Sequence, residues 1–376
     1  MLFEIVPVII KFIVKINGEY QRRETGMVTL KEIAKECNVS ATTVSNILNG
    51  KNNVSEETRK RVMEVVQLRG YQPNYIAQGL RNRRTKMIGI IAEDVAQFST
   101  PVIMEGIMEY FEEAGYRTMI ENLRLYARWG DSWYEDEGAY RSVLEPALQE
   151  LISIKVDGLI YIAGHARILR SFSGETAIPS VMVYAYTDSP RVPSVVIDDE
   201  QGAYDMTKYL ISMGHQRIAV LGGREDNIHT QKRLKGYQRA LFESRLLYNP
   251  EWVFYGNWQK DSGYEAAEKL YRTGATAIFC MSDRMAGGVY EYFYENGIRV
   301  GEDISVAGFD NQEMAEFFSP GLTTMELNLR HIGYEAGKLM IDRLAEGKKE
   351  ERADAGQALE LYIPCNFIER RSVKRV

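Results

Sequence analysis

Two short helices and the turn between them, Val28 to Leu48, fix one end of this chain as a small helical unit. Thr29 and Glu32 stand three apart ahead of an apolar run, the T-x-x-E capping box that starts a helix. The spacing predicts that this helix runs through Ile33 and Ala34 to about Glu36. Cys37–Ser40 reads as a tight turn, with Asn38 where left-handed backbone is needed, because Asn tolerates it better than most side chains. Ser40 can cap the next helix, Ala41–Leu48. Ala34, Val39, Val44 and Ile47 are spaced to bury one face, and Ala34 is small because the second helix passes over it. The outer face carries Ala41, Thr42, Thr43, Ser45 and Asn46, short groups suited to the edges of DNA bases. Short helix pairs of this kind occur in many folds, so the following residues matter. Ser55 caps a third helix, Glu56 to about Leu68, which ends at Gly70. Tyr71-Gln72-Pro73-Asn74 follows, then an amphipathic segment, Tyr75 to Arg81, and the basic run Arg81, Arg83, Arg84, Lys86.

Charge supports the same division. Residues 27–85 hold ten Lys/Arg against five Asp/Glu, although the whole chain is net −6. A basic head on an acidic body directs phosphate to one end; a solvated helix face with a chance basic excess is the bland alternative. The three cysteines, Cys37, Cys280 and Cys365, and the four histidines show no metal-ligand or disulfide spacing, which fits a reduced, cytoplasmic protein and no metal or cofactor. Residues 1–26 begin with an apolar run of about sixteen, short for a membrane span and broken by Glu4, Pro7 and Lys11. Neither a membrane segment nor a signal peptide is expected there. The helix-pair sequence begins abruptly at Met27, so residues 1–26 are expected to be an extension from a mis-assigned start.

After residue 86 short apolar runs alternate with helical stretches. Strands are expected at Met87–Ile91, Arg117–Glu121, Gly158–Ala163, Ser180–Tyr184, Arg217–Leu221, Ala277–Met281 and Ile304–Phe309. Helices are expected at Val102–Ala114, Glu145–Ile154, Glu200–Met213, Thr230–Ser244, Ser262–Arg272, Arg284–Asn296 and Leu329–Glu346. Such alternation implies an α/β body of doubly wound parallel sheets, and its length implies two lobes. A ligand would sit beyond strand C-termini, in the cleft between them. Tyr126–Gly138, rich in aromatics and charge, reads as an inserted loop, either exposed without a role or near that cleft.

The segments V-T-L-K-E-I-A (28–34), V-S-A-T-T-V-S-N-I-L-N (39–49), V-S-E-E-T-R (54–59), G-Y-Q-P-N-Y-I-A-Q-G-L (70–80) and I-G-I-I (88–91) together resemble the lac-repressor/galactose-repressor family of bacterial regulators. The likeness extends over about residues 27 to 372. It implies a helix-turn-helix head (27–72), a hinge helix and linker (73–85), and a two-lobed effector-binding and dimerisation body (86–376) similar to periplasmic sugar-binding proteins. The lobes would be joined by crossovers near Pro190–Ser194 to Asp199, near Ser282–Arg284 and near Leu322–Leu327. It further implies a homodimer on a palindromic double-stranded operator. DNA contacts would come from Thr29, Ser40, Ala41, Thr42, Thr43, Ser45, Asn46 and Asn49 in the head. In the hinge they would come from Asn74, Ala77, Gln78, Arg81 and Leu80, which matches a leucine that wedges into the minor groove. Only Val-Lys-Arg-Val follows Ser372, without the leucine heptads of the lac repressor's tetramer-forming tail.

The segments G-H-Q-R-I-A-V-L-G-G (214–223) and Q-K-R-L-K-G-Y (231–237) are similar to the family's effector-binding strand and helix. Arg233 matches its ligand-contacting arginine, whose planar fork suits adjacent hydroxyls, and Asp310 in V-A-G-F-D-N its hydroxyl acceptor, or else a helix cap. Trp258 matches an aromatic that packs on a sugar, and Phe98 could supply a second apolar wall; core packing is the alternative for both. Ser282-Asp283 aligns with an Asn-Asp pair, and Asp283 serves equally as a helix cap. Tyr184, Ser282 and Leu327 stand where lactose-type members carry an acidic residue, Asn and Gln, so the cleft should be less polar there. The resemblance therefore implies an allosteric repressor of carbohydrate genes controlled by a sugar or glycoside. The head argues against a transport component that binds sugar without a DNA role. No nucleophile elbow, zinc-protease pair or phosphate-cradling loop supports an enzyme, and Gly222-Gly223-Arg224 is too short for the last.

Overall fold

The computed structural model describes residues 28–48, 50, 54–71, 84–130, 136–169, 178–346 and 359–376. The chain divides into two compact units, residues 1–82 and 83–376. Asn49, Asn74, Ala77, Gln78, Leu80 and Arg81 lie outside the described residues, as do the N-terminal extension and the expected hinge helix.

In the first unit, helices α1 (Leu30–Glu36), α2 (Ala41–Leu48) and α3 (Glu56–Arg69) close on a small core of Ile33, Ala34, Cys37, Val44, Ile47 and Val62. The local chemistry is that of the sequence. The Thr29 backbone N–H donates to Glu32 Oε2 at 2.7 Å, and the Glu32 N–H returns to Thr29 Oγ1 at 3.3 Å. Asn38 has φ 50°, in the left-handed turn. Ser40 Oγ accepts from the Thr43 N–H at 3.0 Å and Ser55 Oγ from Thr58, so both following helices are capped. Helix α3 ends on Gly70 in left-handed backbone (φ 60°).

The second unit carries two parallel sheets. The first has the order β11-β5-β4-β3-β1-β2, formed by β1 (Met87–Ala92), β2 (Arg117–Asn122), β3 (Gly158–Ile162), β4 (Ser180–Val183), β5 (Ser194–Ile197) and β11 (Glu360–Ile363). The second has the order β7-β6-β8-β9, formed by β6 (Ile218–Gly222), β7 (Val253–Tyr255), β8 (Ala277–Cys280) and β9 (Ser305–Ala307). A short antiparallel pair, β10 (Thr324–Glu326) and β12 (Asn366–Ile368), joins the second lobe through parallel bridges at Ala307–Thr323 and Asp310–Glu326. The central strands are apolar on both faces, as helices on both sides of a sheet require. In the first lobe α4 (Ser99–Glu113) packs on α12 (Leu329–Glu346) backbone to backbone. A Cβ on Gly106 would meet the Arg330 carbonyl at 2.0 Å, and one on Gly333 the Ile103 carbonyl at 2.0 Å.

Several expectations are corrected. Residues 194–197, read as a crossover, form β5, and the chain crosses to the second lobe only as α7 (Asp199–Ser212) begins. Ser282–Arg284 is no crossover: Ser282 caps α10 (Asp283–Glu295), which stays in the second lobe against α9 (Lys260–Arg272). The chain does return to the first lobe after β10, and crosses again between β11 and β12. The strands β5, β7, β10, β11 and β12 were not expected; each has only three or four residues. The supposed loop from Tyr126 contains α5 (Leu125–Trp129) and the start of α6 (Glu137–Ser153), with residues 131–135 outside the described set. Among the described residues no helix is long and apolar enough to cross a membrane.

Candidate effector cleft and nucleic-acid-facing helix

On α2 the period of 3.6 buries Val44 and Ile47 and leaves the other side open. Thr42 is exposed, while Ala41, Thr43, Ser45 and Asn46 are half-buried. Thr29 and Ser40 are exposed too, but their hydroxyls are engaged in capping α1 and α2. Thr42 and Asn46 on α2 can therefore approach base edges, whereas the Thr43 hydroxyl is bonded to Ser40 Oγ at 2.9 Å, and Thr29 and Ser40 stand at helix N-termini, where phosphate is favoured.

A cavity of about 580 Å³ opens between the lobes of the second unit. Its walls are built at strand C-termini. Asp94 and Gln97 follow β1, His165 and Arg167 follow β3, Arg224 and Asn227 follow β6, Asn257 and Trp258 follow β7, and Arg284 follows β8. Tyr126 and Ala127 of α5 complete the first-lobe side, which places the aromatic insertion at the cleft. Trp258 takes left-handed backbone (φ 70°), and its ring lies so close to Gly223 that a Cβ there would meet it at 2.0 Å.

Beneath the cavity lies a buried ionic group. Arg233, on α8 (Ile228–Glu243), is 2% exposed; its Nε donates to Asp199 Oδ1 at 2.7 Å, and its Nη1 is 3.6 Å from Asp310 Oδ1. Its guanidinium lies 3.8 Å from the Phe309 ring centroid and 5.7 Å from that of Trp258. The Ala166 N–H of the first lobe donates to His229 Nε2 at 3.2 Å, so Nδ1 carries the proton given to Asp199 Oδ2 at 2.6 Å. Burial opposes the charge on Asp199, but His229 and Arg233 hold its carboxyl below the ordinary value. Burial raises Asp310 to about 6 against the pull of Arg233. Asp310 also adopts φ 116°, strained backbone for a side chain that bears a Cβ.

Of the residues singled out in the sequence, Trp258 lines the cavity. Arg233 and Asp310 sit under it, and the Tyr184 ring is buried against His229, with ring centres 4.9 Å apart. Three other residues expected at the ligand do not line this cavity. Phe98 is half-buried against the apolar core, and its neighbours Ala96 and Gln97 line the wall instead. Ser282 is buried as the cap of α10, accepting from the Arg284 N–H at 3.2 Å. Asp283 is wholly buried; it accepts from Thr324 Oγ1 at 2.7 Å and from the Gln312 N–H at 2.8 Å, pinning the loop after β9 to the start of β10. Burial, then the nearby Asp310 charge, pushes the Asp283 carboxyl well above its ordinary range. Leu327 is buried and is not among the residues that line this cavity. The arginines 167, 224 and 284 were missed, although all lie within five residues of a strand C-terminus, which is the signal that finds them.

A helix-turn-helix unit ahead of a two-lobed parallel α/β body with a cleft at its strand ends is the architecture of a DNA-binding transcriptional regulator built on a periplasmic-binding-protein-like body. Residues 29–74 match the bacterial regulatory proteins of the lacI family, and residues 207–373 a periplasmic binding protein-like domain. The HTH-type transcriptional repressor PurR of Aliivibrio fischeri is 32% identical over 332 residues, covering 87% of this chain and 94% of that protein. The lac repressor dimer bound to operator and the anti-inducer ONPF has a similar fold (TM-score 0.74, 24% identity, 93% of this chain and 100% of that one). The transcriptional regulator CelR in complex with cellobiose is similar at TM-score 0.61 and 26% identity, over 92% of this chain and 99% of that one. The chain belongs to the lacI family of bacterial regulatory proteins.

Proposed function

We propose that this protein is a cytoplasmic repressor whose hold on a two-fold operator is set by a sugar or glycoside bound between the lobes. The observation that carries the reading is the pairing of a capped recognition helix having an open polar face with a cleft walled by Trp258, Tyr126 and side-chain amides and cations. Aromatic faces and planar donors are the groups that hold saccharide rings. The likeness to a regulator in complex with cellobiose supports the same ligand class. A homodimer is favoured by β2, an edge strand that leaves Met119 and Ile120 exposed at 39% and 38%.

A ligand that bridges the lobes would bias their spacing. Through the segment that joins body and head it would change operator affinity, a coupling that is reciprocal by linkage. In a gel shift with DNA flanking its own coding sequence, the full chain should give a discrete complex whose midpoint moves when a cleft ligand is added. A ligand that binds the protein without moving the midpoint would leave a binding protein without regulation, and failure to bind any such DNA would overturn the reading altogether.

A further inference from the structure

We infer that the effector carries an anionic group, so that the cleft takes an acidic saccharide bearing a carboxylate or a phosphate; this rests on the reading of the cleft as the effector site.

The argument is one of donors and counter-ions. Two of the three lining arginines have carboxylate partners. Arg167 Nη2 lies 2.6 Å from Glu93 Oε1, and Arg224 grips Asp226 through Nε at 3.1 Å and Nη2 at 2.9 Å. Arg284 does not. Its hydrogen bonds go to neutral amide oxygens, Gln312 Oε1 at 3.2 Å and Gln259 Oε1 at 3.4 Å, and no ion pair within 4.0 Å is formed with a carboxylate of the described residues. The other lining carboxylate, Asp94, is 5% exposed and accepts the Ala96 and Ala127 N–H groups, both at 3.2 Å. The charge of Arg284 does act on Asp310 under the cavity, but that carboxylate already faces Arg233 at 3.6 Å, so the wall presents a cation with no ion-pair partner of its own.

Three helices of the second lobe also begin at this cavity. Asn227 and Ile228 open α8, Gln259 precedes α9 without a side-chain cap bond, and Arg284 is in the first turn of α10. Helix N-termini carry partial positive charge and unpaired N–H groups. Burial first, and then the charges of Arg167, Arg224 and Arg284, press His165 toward its neutral form, down to about 4, in keeping with the positive lining of the cleft. The buried indole N–H of Trp258 has no acceptor. A neutral polyol brings a donor hydrogen with every hydroxyl, which must also be matched. A carboxylate or phosphate brings acceptors only, and it meets the Arg284 fork with charge-assisted bonds.

The test is calorimetric titration of the full-length protein with matched pairs: cellobiose against its C6-oxidised uronic acid, and glucose against glucose 6-phosphate, with inorganic phosphate alone as a control. The acidic member of at least one pair should bind about tenfold tighter than its neutral partner, the more so at low salt. Arg284→Gln should abolish that preference, thermal melting confirming that the variant is folded. Which pair responds separates a uronate from a phosphate ester, and a response to inorganic phosphate equal to that of the ester would reduce the site to a phosphate subsite. Neutral members binding as well as acidic ones, no acidic probe binding in the millimolar range, or an unchanged preference in Arg284→Gln would each overturn the inference. Operator gel shifts in parallel separate it from the parent reading. Acidic saccharide that binds without altering operator affinity removes regulation and keeps the anionic site; a neutral sugar that alters operator affinity does the reverse.

Discussion

Arg233 and Asp199 form a buried ion pair, Nε to Oδ1 at 2.7 Å, which ties α8 to the first residue of α7 directly after the chain has crossed from one lobe to the other. His229 takes the second Asp199 oxygen and reaches the first lobe through the Ala166 amide. The group thus joins the floor of the cleft to the lobe boundary. Arg233→Ala should cost stability as well as ligand response, because it leaves buried carboxylate charge with one partner fewer. A loss of about 3–5 kcal/mol is expected in urea unfolding. A loss below about 1 kcal/mol would show that the site relaxes or hydrates freely.

Asp310 gives a pH signature. Burial raises its folded carboxyl from 3.8 to about 6, so the folded chain holds a proton that the unfolded chain has released. Its contribution to stability is therefore largest at low pH, falls as pH rises from 3.8 to about 6, and is level above that. In Asp310→Asn this dependence disappears. The melting temperature of the variant minus that of the parent should rise by a few degrees across the window, then stay constant. Calorimetric melts from pH 4 to 8 would read it, and a constant difference would refute it.

The head was legible because its signals are local. Thr29–Glu32, Asn38, Ser40 and Gly70 each act within one turn of chain, and each does in the structure what its chemistry demands. The long strands of the body were legible from apolar runs. The short strands β7, β10 and β12 were not, because three residues cannot display a period, and β5 lies just after Pro190 and Pro193, which read as a linker. The cleft was half legible. Trp258 and the floor residues Arg233 and Asp310 came from resemblance, whereas Arg284 and Arg167 carry only the signal of standing just after a strand and become wall residues where the strand ends of the two lobes border one cavity. Phe98 and Asp283 do not line the cavity because an aromatic or an acid beside a strand end can turn inward for packing or loop tethering.

Gly223 should be intolerant of any side chain. A methyl group there would meet the Trp258 ring, three of whose atoms would lie 2.0–2.4 Å away. Gly223→Ala is expected to displace the ring from the cleft wall, shift its fluorescence, and weaken the binding of whichever saccharide the parent binds by about tenfold or more. Unchanged fluorescence together with unchanged binding would mean that the ring has room to move.

Asn46 stands on the open side of α2, two residues from buried Val44 and next to buried Ile47. Its amide can pair with adenine, so Asn46→Ala should cost about 1–3 kcal/mol per half-site and relax preference at a single base position. Binding to a library of single-base operator variants would show this, and uniform weakening on every sequence would assign Asn46 to the backbone instead.

The central claim, that the small basic unit of this chain binds a double-stranded operator, is tested most directly by the salt dependence of operator affinity. Several Lys/Arg per head, doubled in a dimer, should release enough counter-ions to give a log–log slope of about −5 to −9. Fluorescence anisotropy of a labelled operator fragment, titrated with the full chain from low to physiological salt, measures that slope. A steep negative slope with sequence preference is the predicted result, and a slope near zero would contradict the account.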